Sequence, residues 1–149
     1  MAENFGSDNQ VQVVVFKLGQ EEYGINILQV QEIKQMTEIT RIPQVPDYIT
    51  GVINLRGSVL PVMDLKRRLG LAPQPITDDT RIVIVKIDDT AIGMIVDAVT
   101  EVLTINRENI EPPQAGICAT SPNYLSGVGK LNDRLLILLN VTNIISIGQ

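Results

Sequence analysis

The chain has no histidine, no tryptophan and one cysteine, and aromatic residues fill only 3% of its 149 positions. Without an imidazole there is no histidine general base and no Ser–His or Cys–His relay. Cys118 alone can neither close an internal disulfide nor build a thiolate metal cluster. It reads as a passive thiol, and a reducing compartment is the natural setting. Scarce aromatics demand an aliphatic core and leave almost no stacking platform for bases or sugars. Positive charge is also in deficit. Twelve Lys and Arg against 17 Asp and Glu give a net charge of −5, which excludes a groove that tracks nucleic-acid phosphates. No glycine-rich phosphate loop and no EF-hand loop is present, so no cofactor and no metal is expected.

Long apolar runs are missing too. The uncharged, apolar-rich stretch Leu135–Gln149 is too short to span a bilayer and contains two Asn, a Thr and a Ser. No membrane insertion is expected. The N-terminal MAENFGSDNQ has no basic-then-apolar secretion pattern and reads as a disordered polar tail over 1–10, with the cytoplasm as the default location. The remainder, at 44% apolar and 19% charged, has the composition of a folded chain. Its length suits one ordinary domain or two small units of about 70 residues each.

The most informative feature is an internal repeat. Val14–Ile33 aligns without gaps on Val83–Val102, with identities at Val14/Val83, Lys17/Lys86, Gly24/Gly93, Val30/Val99 and Glu32/Glu101. Pro46–Leu65 then aligns on Pro122–Val141, with identities at Pro46/Pro122, Tyr48/Tyr124, Gly51/Gly127, Val52/Val128 and Leu55/Leu131. Two blocks in the same order point to duplication. The stretch between the copies, GLAPQPITDDT at 70–80, reads as a linker.

Each copy is dominated by short β-branched and aliphatic runs separated by turn residues, about five strands per lobe. Asp64–Leu69 is the one convincing helical piece, capped by Asp64 and ended by Gly70. Leu135–Leu139 is apolar throughout and needs burial on both faces. Small closed barrels provide that and remove exposed edges. The expected fold is therefore all-β, with two pseudo-symmetric barrels packed side by side and short helices. The first barrel is expected over about 14–69 and the second over about 80–141, with exchange of terminal strands between them as an option, all within one unit at 11–149.

Asp78/Asp79 and Asp88/Asp89 sit in turns, where aspartate is favoured for backbone reasons. An enzyme built on such residues would need two carboxylates converging in one cleft. Lys66-Arg67-Arg68 reads chiefly as a solvated basic face. Two features ask for more. In Asn54-Leu55-Arg56-Gly57, Gly57 can supply a positive φ and Asn54 can bond the local backbone, but neither need explains Arg56. An arginine thrown outward from a rigid turn is a fork for a partner's oxygens. In Val30-Gln31-Glu32-Ile33 and its copy Val99-Thr100-Glu101-Val102, an acid interrupts an apolar run. Strand alternation would place Val30 and Glu32 on one face, with Gln31 and Ile33 on the other.

Glu21–Ile33 (EEYGINILQVQEI), Thr40–Leu65 (TRIPQVPDYITGVINLRGSVLPVMDL), Ile92–Ile105, Ile105–Pro113 and Tyr124–Val141 resemble the bacterial chemotaxis coupling family, CheW. The likeness covers about Val11 to Ile147. The combination of YGI, VQEI, GVINLRG and Pro-Val-x-Asp-Leu carries its specificity. The resemblance implies two five-stranded SH3-like barrels and a non-enzymatic adaptor. Its implied partners are the cytoplasmic hairpin tip of chemoreceptors, seated between the barrels, and the regulatory domain of the histidine kinase CheA, on other barrel faces. Val30, Glu32, Gly51 and Arg56 match positions of the family's partner-binding determinants. Ile33 and Val99 join them by pattern as groove-lining residues, with receptor and kinase contacts undivided. The alternative is the same module as a piece of a larger chemotaxis protein such as CheV or CheA, for whose extra domains a chain of this length has no room.

Overall fold

The computed structural model describes residues 9–113 and 122–146; Cys118 and positions 1–8 of the N-terminal tail lie outside the described residues. β1 (Gln10–Leu18) shows why its apolar run is unbroken. Val11, Val13 and Val15 point into one cluster and Val14, Phe16 and Leu18 into another, because successive side chains leave a strand on opposite faces. A two-residue turn leads to β2 (Glu21–Asn26). The Asn26 side chain accepts from Leu28 N at 2.9 Å and caps a 3-10 turn, Ile27–Gln29, that opens into β3 (Val30–Gln35). β4 (Ile49–Leu55) and β5 (Ser58–Asp64) form a hairpin. α1 (Leu65–Leu69) follows, with the Asp64 side chain at its start and Gly70 at its end. The second half repeats the series with β6 (Arg81–Ile87), β7 (Thr90–Val96), β8 (Ala98–Asn106), β9 (Ile110–Glu111), β10 (Leu125–Leu131), β11 (Arg134–Leu139) and α2 (Val141–Ile144).

The sheets do not coincide with the sequence halves. One has the order β8-β1-β2-β11-β10-β9 and the other β3-β6-β7-β5-β4. A division at 70–80 would keep β1 and β2 with β3–β5. Instead each copy's leading hairpin, β1–β2 or β6–β7, completes the sheet of the other copy. The joints are two equivalent parallel pairings, Leu138 opposite Gly24 and Val62 opposite Gly93. The chain passes between sheets through the three-residue turn at 27–29 and, in the second copy, through Asp97.

Each sheet curls and is closed by a segment that serves both edges. Beyond β3, Thr40 pairs with Val52 of β4. Beyond β8, the turn Arg107–Asn109 leads into β9, where Glu111 pairs with Val128 of β10. These closures correspond by the repeat, and each passes over a glycine. A Cβ at Gly51 would stand 2.1 Å from Thr40 O, and one at Gly127 would meet Ile110 Cγ2 at 2.8 Å and Glu111 O at 2.9 Å.

The core has three parts. The two curled sheets enclose Ile53, Leu60, Val62, Ile82, Ile84 and neighbours in one case, and Val11, Val13, Val15, Ile105, Leu136 and Leu138 in the other. The largest cluster lies between the sheets and includes Val14, Phe16, Tyr23, Val83, Val85, Met94, Leu65 and Ile144. A side chain of this kind contributes about 1.5–3 kcal/mol when fully buried. β-branched residues on both faces of β1 and β6 therefore bind the lobes into one body.

Three expectations need correction. α2 is a second helix, and its start at Asn140 corresponds to Asp64 by the repeat; Asn140 Oδ1 accepts from Asn143 N at 3.1 Å. β9 adds a short sixth strand to one sheet. Lys66-Arg67-Arg68 is not a solvated face. α1 lies at the seam between sheets, and successive helical residues point about 100° apart, so Lys66 is buried while Arg67 is exposed.

Candidate functional site

The hairpin turn between β4 and β5 places Arg56 and Gly57 at φ +52° and +88°. Positive φ at both central residues matches a type I′ turn, whose twist suits antiparallel strands. Asn54 Oδ1 accepts from Gly57 N at 2.9 Å and braces it. Arginine rarely adopts this backbone conformation. Here it aims the side chain away from the turn, and Arg56 Nη2 donates to Glu32 Oε1 at 2.6 Å. The ion pair thus ties β3 to the β4–β5 turn, joining the two edge strands of the sheet. The Arg56 side chain is still 68% exposed and Glu32 24%, so most of the guanidinium fork stays open to solvent. Beside it lies a groove of about 630 Å³ lined by Gln31, Arg56, Val59, Pro61, Lys86 and Thr90. Val59 is 66% exposed. Position-by-position reading missed it, although Val59 directly precedes Leu60, which is buried and leaves the strand on the opposite face.

β3 does not follow simple alternation. Its register with β6 steps from Val30 opposite Val85 to Glu32 opposite Ile84, leaving Gln31 as the extra residue of a bulge. Ile33 then faces Val83, and since Val83 and Val85 both belong to the cluster between the sheets, Val30 and Ile33 share a face. Glu32 goes to the other side. The pairing of Val30 with Glu32 expected from alternation is therefore wrong, because one inserted residue reverses the parity. β8 carries the equivalent bulge at Thr100, between Val99 opposite Phe16 and Glu101 opposite Val15. Val102 then falls opposite Val14, on the same face as Val99. Val30 and Val99 both pack against the central cluster. Ile33, at 41% exposed, and Val102, at 50%, extend those faces into solvent.

Gly51 is buried beneath the closing segment, and that crossing alone accounts for a glycine there. In the second lobe, Arg134 serves two acids. Its Nη2 donates to Glu101 Oε2 at 2.7 Å, and Nη2 and Nε donate to Glu22 at 3.0 and 3.2 Å. The bonds to Glu101 first, then Glu22, hold the arginine pKa above its ordinary value. That stabilisation is complete below the ordinary value and is lost only as pH rises past the raised one, so the cation persists at any moderate pH.

Lys66 Nζ donates to Asp97 Oδ1, and Gly19 N donates to the other carboxylate oxygen at 2.6 Å. Asp97 thereby joins α1 to the β1–β2 turn. Asp78, Asp79, Asp88 and Asp89 stay exposed, in or beside turns. Among the described residues, no group of three His, Cys, Asp or Glu side chains is placed to hold a metal, and no helix is long and apolar enough to cross a membrane.

Residues 12–149 match the family model described as the CheW-like domain. The chain is 37% identical over 133 residues to the chemotaxis protein CheW of Klebsiella aerogenes, covering 89% of this chain and 80% of that one. It is 38% identical to the chemotaxis protein CheW of Bacillus subtilis, covering 89% and 85%. The fold superposes with a TM-score of 0.86 and 38% identity on the crystal structure of the scaffolding protein TtCheW from Thermoanaerobacter tengcongensis, over 93% of this chain and 94% of that one.

Proposed function

The chain belongs to the CheW-like family of non-enzymatic chemotaxis scaffolds, and from that premise we propose that it couples the cytoplasmic hairpin tips of chemoreceptors to the regulatory domain of the histidine kinase CheA. It does so in the cytoplasm, held at the membrane by its partners. The observation that carries this reading is the Glu32–Arg56 pair, a charged fork on a strained turn beside a groove of mixed polar and aliphatic lining. Such a fork gives geometric specificity through charge-assisted hydrogen bonds, and exposed aliphatic side chains such as Ile33 and Val59 supply burial on contact.

The contact set comprises Val30, Glu32, Ile33, Arg56 and Val99, with Gly51 acting by letting the closing segment lie flat. Presenting several interfaces on one rigid body raises the effective concentration of each partner for the next. A change in the receptor tip then biases the kinase through coupled equilibria rather than through chemistry on this chain.

The test is reconstitution of receptor fragments, kinase and this chain, with Arg56→Glu as the variant. The variant should fold normally, bind at least one partner about tenfold or more weakly, in line with about 1.5–3 kcal/mol for a charged hydrogen bond, and fail to restore receptor control of phosphorylation. Wild-type affinity for both partners would reject Arg56 as a contact.

A further inference from the structure

Arg68 sits where the lobes meet, between two residues that are copies of each other. Its guanidinium carbon lies 4.4 Å from the ring centroid of Tyr48 and 5.2 Å from that of Tyr124. Both distances are within the range of cation–π attraction. The tyrosines are held in matching ways, Tyr48 O accepting from Asp64 N and Tyr124 O from Asn140 N, each at 2.8 Å. The polar edge of Arg68 crosses to the other lobe, where Nε donates to Ile144 O at 2.9 Å and Nη2 to Ser146 O at 3.2 Å. These are carbonyls at and just beyond the end of α2, of the kind a short helix leaves without intrahelical partners. The repeat gives Arg68 no twin: its counterpart is Ile144, which is buried. A near-symmetric joint is thus filled by one asymmetric side chain, and α1 adds a second fastening through Lys66 and Asp97.

We infer that Arg68 is a positioning residue that sets the angle between the lobes, and through it the relation between the partner-facing edges of β3 and β8. The link is the central cluster. Tyr48 and Tyr124 pack against it, as do Val30 and Val99. A close-packed cluster transmits a shift at one side to the other rather than absorbing it. Lysine cannot replace the planar fork, because it offers a point charge without a stacking plane. The binding consequence rests on the adaptor reading above; the geometric one does not.

The experiment places spin labels on exposed positions of the two lobes, Gln35→Cys on β3 and Thr104→Cys on β8, in a Cys118→Ser background, and measures the distance distribution. The unlabelled protein is titrated with a chemoreceptor hairpin fragment. With Arg68 intact the distribution is single and narrow. Arg68→Ala, Arg68→Lys and Tyr124→Leu broaden or displace it, while Tyr124→Phe, which keeps the ring, leaves it in place. Hairpin affinity falls about tenfold in Arg68→Ala, within the usual range of coupling between separated sites. A folded Arg68→Ala protein with an unchanged distribution overturns the inference, and so does lost affinity without any change in distance. If Arg68→Ala fails to fold, Arg68→Lys and Tyr124→Leu decide by the same criterion. If the wild-type chain ignores the hairpin, the adaptor reading falls, and the distances still decide the role of Arg68.

Discussion

The two lobes carry the same glutamate, Glu32 in β3 and Glu101 in β8, and employ it differently. Glu32 meets Arg56 from the tip of a turn, in a single bond that leaves the guanidinium mostly in water. Glu101 meets Arg134, which also grips Glu22 and so is engaged from two strands. At the place of Arg56 the second copy has Asn132, again at positive φ. Duplication preserved the backbone device and changed what it displays. One lobe keeps an open fork; the other uses its arginine as a brace. The crossovers between sheets diverge likewise. Asp97 binds Lys66 and Gly19, whereas its counterpart Leu28 is 67% exposed.

The largest contrast should come from the crossovers. Asp97→Ala strands a buried ammonium, and losing one partner of such a pair costs about 3–5 kcal/mol. Leu28→Ala at the twin position should stay within about 0.5 kcal/mol. Urea unfolding of both variants checks this, and equal costs would mean that Asp97 is no fastening. Next come the closing glycines. Gly51→Ala drives a methyl into the Thr40 backbone and should cost about 3 kcal/mol, while Gly127→Ala, with more room, should cost about 1–2 kcal/mol. A reversed order would show that the second closure is the more rigid. The smallest effect separates the two arginines. Arg56→Ala should change stability by no more than about 0.5 kcal/mol, as exposed pairs do. Arg134→Ala should lower the unfolding midpoint further, because Glu22 and Glu101 then face each other unneutralised, and adding Glu101→Gln should recover part of the loss.

Much of this molecule was readable in its residues. Apolar β-branched runs marked β1 and β6, and turn residues located the hairpins. The copies Gly24/Gly93 and Gly51/Gly127 fell at matching structural positions, and the Asp64 cap was visible. α2 could have been found by carrying that cap across the repeat to Asn140. Other features left no local trace. The bulges at Gln31 and Thr100 are created by pairing with β6 and β1, so the shared face of Val30 and Ile33 cannot be obtained by counting along β3. Lys66 and Arg68 look like any surface cations until α1 is laid in the seam.

Local physics explains both outcomes. Side-chain periodicity, turn preferences and caps act over a few residues, so they already imply an aliphatic all-β body in two related parts with no acid–base apparatus of the histidine kind. A repeat is ambiguous about its own assembly: β2 and β7 carry nearly the same pattern, and either could lie beside β5 or β11. Packing across the whole molecule removes that ambiguity. The three-residue passage at 27–29 sends the leading hairpin to the opposite sheet, the cluster between the sheets and the two clusters inside them together bury both faces of β1 and β6, and packing across the seam places Arg68 between Tyr48 and Tyr124.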